Sequence, residues 1–151
     1  MNIAILNFEE PWIVLASTSL IRGFLRKFPD SNIFFFISQE SFPVIQHNPK
    51  IQIINGYTYN QSFAFDIAVN LSPTVAASNF MKELNAKTKL GFIEHQGNIA
   101  CINKDAEDYY SIMYNGISTE KNIFQVIYKI AGLVWRGEGY DLSYYPKNKT
   151  N

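Results

Sequence analysis

Apolar positions along the chain fall into two alternating spacings. Short apolar runs of strand length occupy Asn2–Asn7 (with Ile3, Ala4, Ile5 and Leu6), Asn32–Ile37, Ile51–Ile54, Phe65–Leu71 and Thr88–Ile93, the pattern of strands covered on both faces. Between the first two runs, apolar or small residues recur at Ile13, Ala16, Ser17, Leu20, Ile21, Phe24, Leu25 and Phe28, while Arg22, Arg26 and Lys27 fall elsewhere. That three-then-four spacing predicts one helix, opened by Pro11 at a first helical position and stopped by Pro29 and Asp30.

The alternation continues. Ser38 to His47 reads as a short helical stretch, Gly56–Phe63 as a loop, and Val75–Leu84 as a helix introduced by Pro73. Beyond Gly97 the pattern loosens into a short strand at Ile99–Ile102 and a helix at Ala106–Tyr114. The last strong stretch, Thr119–Trp135, places Ile123, Val126, Ile127, Ile130, Ala131, Val134 and Trp135 on one face, with Gly137 and Gly139 to close it. Strands that alternate with helices predict an α/β fold: a single Rossmann-like domain over residues 1–146, its sheet mostly parallel with helices on both faces. Residues 147–151 form a polar tail or linker.

Composition narrows the function. The chain has 151 residues, enough for one domain, with 13 basic and 13 acidic residues. It therefore has no overall basic field to hold a nucleic-acid backbone or an anionic membrane. The single cysteine, Cys101, forms neither an internal disulfide nor a thiolate zinc cage. No signal-peptide pattern and no membrane-length apolar run occur, which gives the expectation of a cytoplasmic protein. The sequons at Asn60, Asn70 and Asn148 are then read as chance.

In a sheet of this type ligands sit beyond the carboxyl ends of the strands. The first such loop, Phe8-Glu9-Glu10-Pro11-Trp12, lacks the glycines of a phosphate cradle and carries two carboxylates. Glu9 and Glu10 either complement the positive end of the following helix or serve as catalytic carboxylates. Asn70 and Ser72 offer hydrogen bonds to a sugar hydroxyl, with Ser72 equally suited to cap the helix at Pro73. Glu94 and His95 make an acid–base pair or a solvated loop; His47 reads as helix-end complementation. Two histidines and one cysteine without ligand spacing predict no metal site, no Gly-x-Ser-x-Gly elbow occurs, and no cofactor is expected.

Three stretches in order resemble the N-terminal half of the family 9 glycosyltransferases, the heptosyltransferase group. Ile3–Ile33 is similar to the family's opening strand and helix, with Ser19-Leu20-Ile21-Arg22 and the closing Lys27-Phe28-Pro29-Asp30. Phe65-Asp66-Ile67-Ala68-Val69-Asn70-Leu71 and Asn85-Ala86-Lys87-Thr88-Lys89-Leu90-Gly91-Phe92 resemble its Tyr-Asp-Leu-Val-Ile-Asp-Leu and Gly-Ala-Lys-x-x-Ile-Gly-Phe segments. Asn122-Ile123-Phe124-Gln125 and Ile130-Ala131-Gly132-Leu133 resemble its Asn-x-Phe and Ile-Ala-Gly helix.

The resemblance implies half of a GT-B architecture, in which an acceptor-side domain with a general base faces a donor-binding domain. It also implies hexosyl or heptosyl transfer, in lipopolysaccharide or protein glycosylation. The chain departs from the family at the loop after the first strand, where Trp12 and Ile13 align with its Gly and catalytic Asp. Pro73 and Ala76 stand where glycine and a basic residue are frequent. The expectation is an acceptor-side domain not active alone, with Glu9 and Glu10 as the remaining catalytic candidates. Trp12, Asn70, Ser72, Glu94 and His95 are candidates for binding the acceptor. Its partner would be a donor-binding domain in cis or trans, handed over near residue 151. The alternative is a non-catalytic binding or scaffolding module, a pseudoenzyme that meets another protein through its aromatics (Tyr57, Tyr59, Tyr140, Tyr144 and Tyr145) or forms a homo-oligomer. A flavodoxin-like nucleotide binder is disfavoured by the absence of a glycine-rich strand-to-helix loop.

Overall fold

The computed structural model describes residues 1–116 and 122–142. Six strands form one sheet: β1 (Asn2–Leu6), β2 (Asn32–Ile37), β3 (Ile51–Asn55), β4 (Phe65–Asn70), β5 (Ala86–His95) and β6 (Asn98–Cys101), in the order β3-β2-β1-β4-β5-β6. All neighbours run parallel except β5 and β6. Helices α1 (Pro11–Ser17), α2 (Ser19–Lys27), α3 (Phe42–Ile45), α4 (Val75–Glu83), α5 (Lys104–Tyr114) and α6 (Ile123–Ile130) connect or follow them.

Alternate residues of β1 divide the core into two layers, because successive side chains on a strand point to opposite faces. Ile3 and Ile5 pack with Phe24 of α2, Tyr109 of α5 and Ile127 of α6. Ala4 and Leu6 pack on the other face with Phe80 and Met81 of α4 and with Tyr59 and Phe63 of the β3–β4 connection. The expected α/β domain with helices on both faces is the observed one.

Three boundaries differ from the periodicity. The first helix is two, α1 and α2, parted at Thr18. Three successive hydroxyls fold back there: Ser17 Oγ donates to the Val14 carbonyl (2.7 Å), Thr18 Oγ1 to that of Leu15 (2.6 Å) and Ser19 Oγ to that of Ala16 (3.1 Å). Such back-bonds compete with the helical ladder and bend it. β5 runs longer than Thr88–Ile93, and the last helix ends at Ile130, before Val134 and Trp135. Gly132, at φ +72°, lets the Leu133 N–H reach the Tyr128 carbonyl (2.8 Å) while its own N–H bonds Lys129 (3.1 Å). That double bond is a Schellman cap, so Gly132 closes the helix rather than Gly137 or Gly139. At the other end an Asn122–Gln125 capping box starts α6; the expected start at Thr119, the tail 147–151, Asn148, Tyr144 and Tyr145 lie outside the described residues.

Candidate functional site

The carboxyl ends of β1 and β4 meet at a set of buried polar side chains. Asn7, directly after β1, is fully buried and donates through Nδ2 to Ser17 Oγ (3.0 Å), while its Oδ1 accepts the Glu9 N–H (3.2 Å). That Asx bond turns the chain out of the sheet and into α1. Asn70, at the end of β4, donates to the Phe92 carbonyl (2.9 Å) and accepts the Ser72 N–H (2.9 Å). Ser72 Oγ accepts the Phe8 N–H (2.7 Å). Asn70 and Ser72 are buried, and these bonds tie the ends of β1 and β4 to each other and to Phe92 within β5. The cap of α4 is Thr74, whose Oγ1 accepts the Ala77 N–H (3.2 Å), and not Ser72.

Above this floor stand the two carboxylates. Glu10 is the N-cap residue of α1 by backbone position, and Pro11 follows at the first helical position as its fixed φ suits. Glu10 Oε2 accepts the indole N–H of Trp12 (3.0 Å), a residue that is 57% exposed. Glu9 turns the other way: its Oε1 accepts the hydroxyl of Tyr114, the last residue of α5. Burial, with Tyr109 and the Glu9 carboxylate nearby, pushes the Tyr114 hydroxyl well above the ordinary tyrosine range. Tyr109 beneath it is fully buried and raised likewise by burial first and Glu9 second. Tyr114 thus stays a proton donor to Glu9 at any neutral pH. Ile13 is buried in α1, and its carbonyl accepts a hydrogen bond from Asn7 Nδ2 (3.4 Å).

Among the described residues no hydrogen bond joins Glu94 to His95, although the imidazole is close enough to act on the Glu94 carboxyl through its charge. They are adjacent in β5, so their side chains leave the strand on opposite faces. Glu94 pairs with Lys82 of α4 (2.7 Å) and accepts the Gly97 N–H (2.7 Å). Both bonds hold its carboxyl below the usual range, the Lys82 bond most. His95 is exposed, opposite Asn98 in the β5–β6 hairpin. Gln96 (φ 52°) and Gly97 (φ 81°) close that hairpin as a two-residue turn of the kind that needs two positive φ values. His47 lies exposed after α3, in the connection from β2 to β3.

The structure therefore joins Asn7, Asn70 and Ser72 into a buried floor, sets Glu9, Glu10 and Trp12 on it, and leaves Glu94 and His95 at the hairpin. Asn7 and Tyr114 were not legible as part of this site. Asn7 carries one signal, a polar residue ending a fully apolar strand; Tyr114 carries none, because its partner is far away along the chain. The aromatics expected to form one surface are divided: Tyr57 and Tyr59 lie on the α4 face, and Tyr140 packs on Phe124 (5.4 Å) of α6 on the other. Among the described residues no group of three His, Cys, Asp or Glu side chains could hold a metal ion, and no helix is long and apolar enough to cross a membrane.

No protein-family model and no curated protein sequence matches the chain. Solved structures do. The E. coli heptosyltransferase WaaC with ADP aligns over 95% of this chain and 51% of its own, at TM-score 0.62 and 10% identity. The same enzyme with ADP-2-deoxy-2-fluoro heptose aligns over 95% and 52%, at TM-score 0.62 and 9% identity. A glycosyl transferase family 9 structure from Veillonella parvula covers 62% of this chain and 32% of its own, at TM-score 0.52 and 17% identity. The chain spans about half the length, or less, of these structures. At such identities the likeness is one of fold: a single α/β domain that resembles half of a GT-B glycosyltransferase fold.

Proposed function

We propose that the chain is the acceptor-side domain of a glycosyltransferase-type cleft and needs a donor-binding domain, in cis or in trans, to transfer a sugar. The observation that carries this reading is the match of nearly the whole domain to half of a two-domain heptosyltransferase fold. The strand ends support it. They present carboxylates and an exposed indole suited to sugar hydroxyls, and the β1–α1 loop has no glycine with which to approach a phosphate.

Within this reading Glu9 is the group placed to take the acceptor's proton. It stands at the carboxyl end of β1 and is oriented by Tyr114, whose hydroxyl engages one of its two carboxylate oxygens. Ile13, aligned with the family's base, is a buried hydrocarbon. Its burial also supports a second reading, in which the domain binds a saccharide or a protein without catalysis. Transfer from labelled nucleotide sugars to saccharide acceptors, measured with the chain alone and with a donor-binding domain added, tests both. The first reading predicts transfer only in the combined sample and a loss of about 10²- to 10⁴-fold in Glu9→Gln. Full activity of Glu9→Gln would remove Glu9 from the role, and no transfer in any combination would leave the binding reading.

A further inference from the structure

The connection from β3 to β4 crosses the face of the sheet that α4 covers, and it does so without a helix. A crossover between parallel strands is usually helical; here residues 56–64 are irregular, so a groove of about 430 Å³ remains between this segment and α4. Tyr57, Tyr59, Gln61, Asn79, Phe80 and Glu83 are among the residues that line it.

Two aromatic rings are held firmly at the groove. Tyr57 lies on Phe8 (centroids 4.2 Å apart) and meets Phe80 edge-on (5.6 Å), yet is 42% exposed. Tyr59 meets Phe80 at 89° and 5.7 Å. Its hydroxyl accepts the Asn85 N–H (2.8 Å) and donates to the Glu83 carbonyl (3.3 Å), which ties the crossover segment to the end of α4. By contrast, the side-chain amides of Gln61 and Asn79 and the Glu83 carboxylate make no hydrogen bond within the described residues. Rigid aromatic faces beside amide and carboxylate groups without a hydrogen-bond partner suit a ligand with apolar C–H faces and a rim of hydroxyls. Among the described residues Glu83 is the only charged one in the lining, which disfavours an anionic ligand.

We propose that this groove binds a neutral oligosaccharide, with Tyr57 as the stacking platform and Gln61, Asn79 and Glu83 as hydroxyl partners. The site runs along the flank of α4 and its lining does not include Glu9, Trp12 or Asn70. It needs no donor and no transfer, so it stands or falls separately from the acceptor-side reading. The test is an NMR titration of the isotope-labelled chain with maltotriose and triacetylchitotriose at millimolar concentration. The proposal predicts saturable shifts at the backbone amides of 56–63 and 76–83 with at least one of them. Tyr57→Phe should keep the affinity, whereas Tyr57→Ala and Asn79→Ala should weaken it at least about fivefold, and a sialylated trisaccharide should bind less well than the neutral ones. Absence of saturable shifts with both sugars, shifts confined to other parts of the chain, unchanged affinity in Asn79→Ala and Tyr57→Ala, or tighter binding of the sialylated sugar would each overturn it. The spectra of the variants report their folding directly.

Discussion

Gly91 sits where β5 changes partner. Up to Gly91 the strand pairs in parallel with β4, and from Phe92 it pairs antiparallel with β6. The change needs a left-handed backbone, φ +94°, and a Cβ there would lie 2.0 Å from the Asn70 carbonyl oxygen. Gly91→Ala is therefore both conformationally strained and blocked by backbone. It should lower stability by more than about 2 kcal/mol, read as a fall in the urea midpoint; an unchanged midpoint would contradict this account of the junction. The Leu90-Gly91-Phe92 segment that carries part of the family resemblance thus has a physical reason in this chain. Asn70 and Ser72 show the limit of reading single residues. Both follow an apolar strand, so the sequence marks them as available to a ligand. Their partners, the Phe92 carbonyl and the Phe8 N–H, lie 22 and 64 residues away, and no local pattern announces them.

At the scale of elements, strands were legible because burial on both faces leaves an apolar run that polar surface does not interrupt. Helix limits were less so. Ser17, Thr18 and Ser19 keep the helical spacing, and only their back-bonded hydroxyls reveal the break between α1 and α2. The break is then used, since Thr18 Oγ1 accepts the N–H of Asp141, a buried carboxylate that also pairs with Lys50 (2.9 Å). Tyr128 of α6 lies over Gly23 of α2, where a Cβ would come within 2.6 Å of its ring, and its hydroxyl donates to the Ser19 carbonyl. Burial pushes this hydroxyl up to about 12. The folded state therefore holds a proton that the unfolded chain releases near pH ~10. The stability linked to Tyr128 is complete below that pH and is lost as pH rises toward the folded value. Chemical denaturation across this window should show stability falling with pH. Tyr128→Phe should make the fall shallower while costing about 1 kcal/mol at neutral pH through the lost hydrogen bond. An equally steep fall in the variant would place the effect elsewhere, with Tyr109 and Tyr114 the next groups to test because burial raises both.

At the scale of the molecule, six strands and their helices build one domain that covers about half of a heptosyltransferase fold. The alternation of strands and helices made that architecture legible, and the ordered motifs pointed to the same relatives. The site was legible only in part: the strand-end loops were found, but the pairing of Glu9 with Tyr114 and of Glu94 with Lys82 depends on contacts that form only in the folded chain. Beside the fold match, the character of the strand ends supports the acceptor-side reading. No glycine lies in the segments 7–10 or 71–74, and Glu9 and Glu10 stand at the start of α1, where a phosphate would otherwise be held. Calorimetric titration of the chain with an ADP-sugar tests this most directly. With the nucleotide assigned to a donor-binding domain under the proposed function, no saturable binding is expected; saturable binding of the ADP-sugar by the chain alone, with perturbation of the Glu9 and Glu10 amides, would contradict that reading.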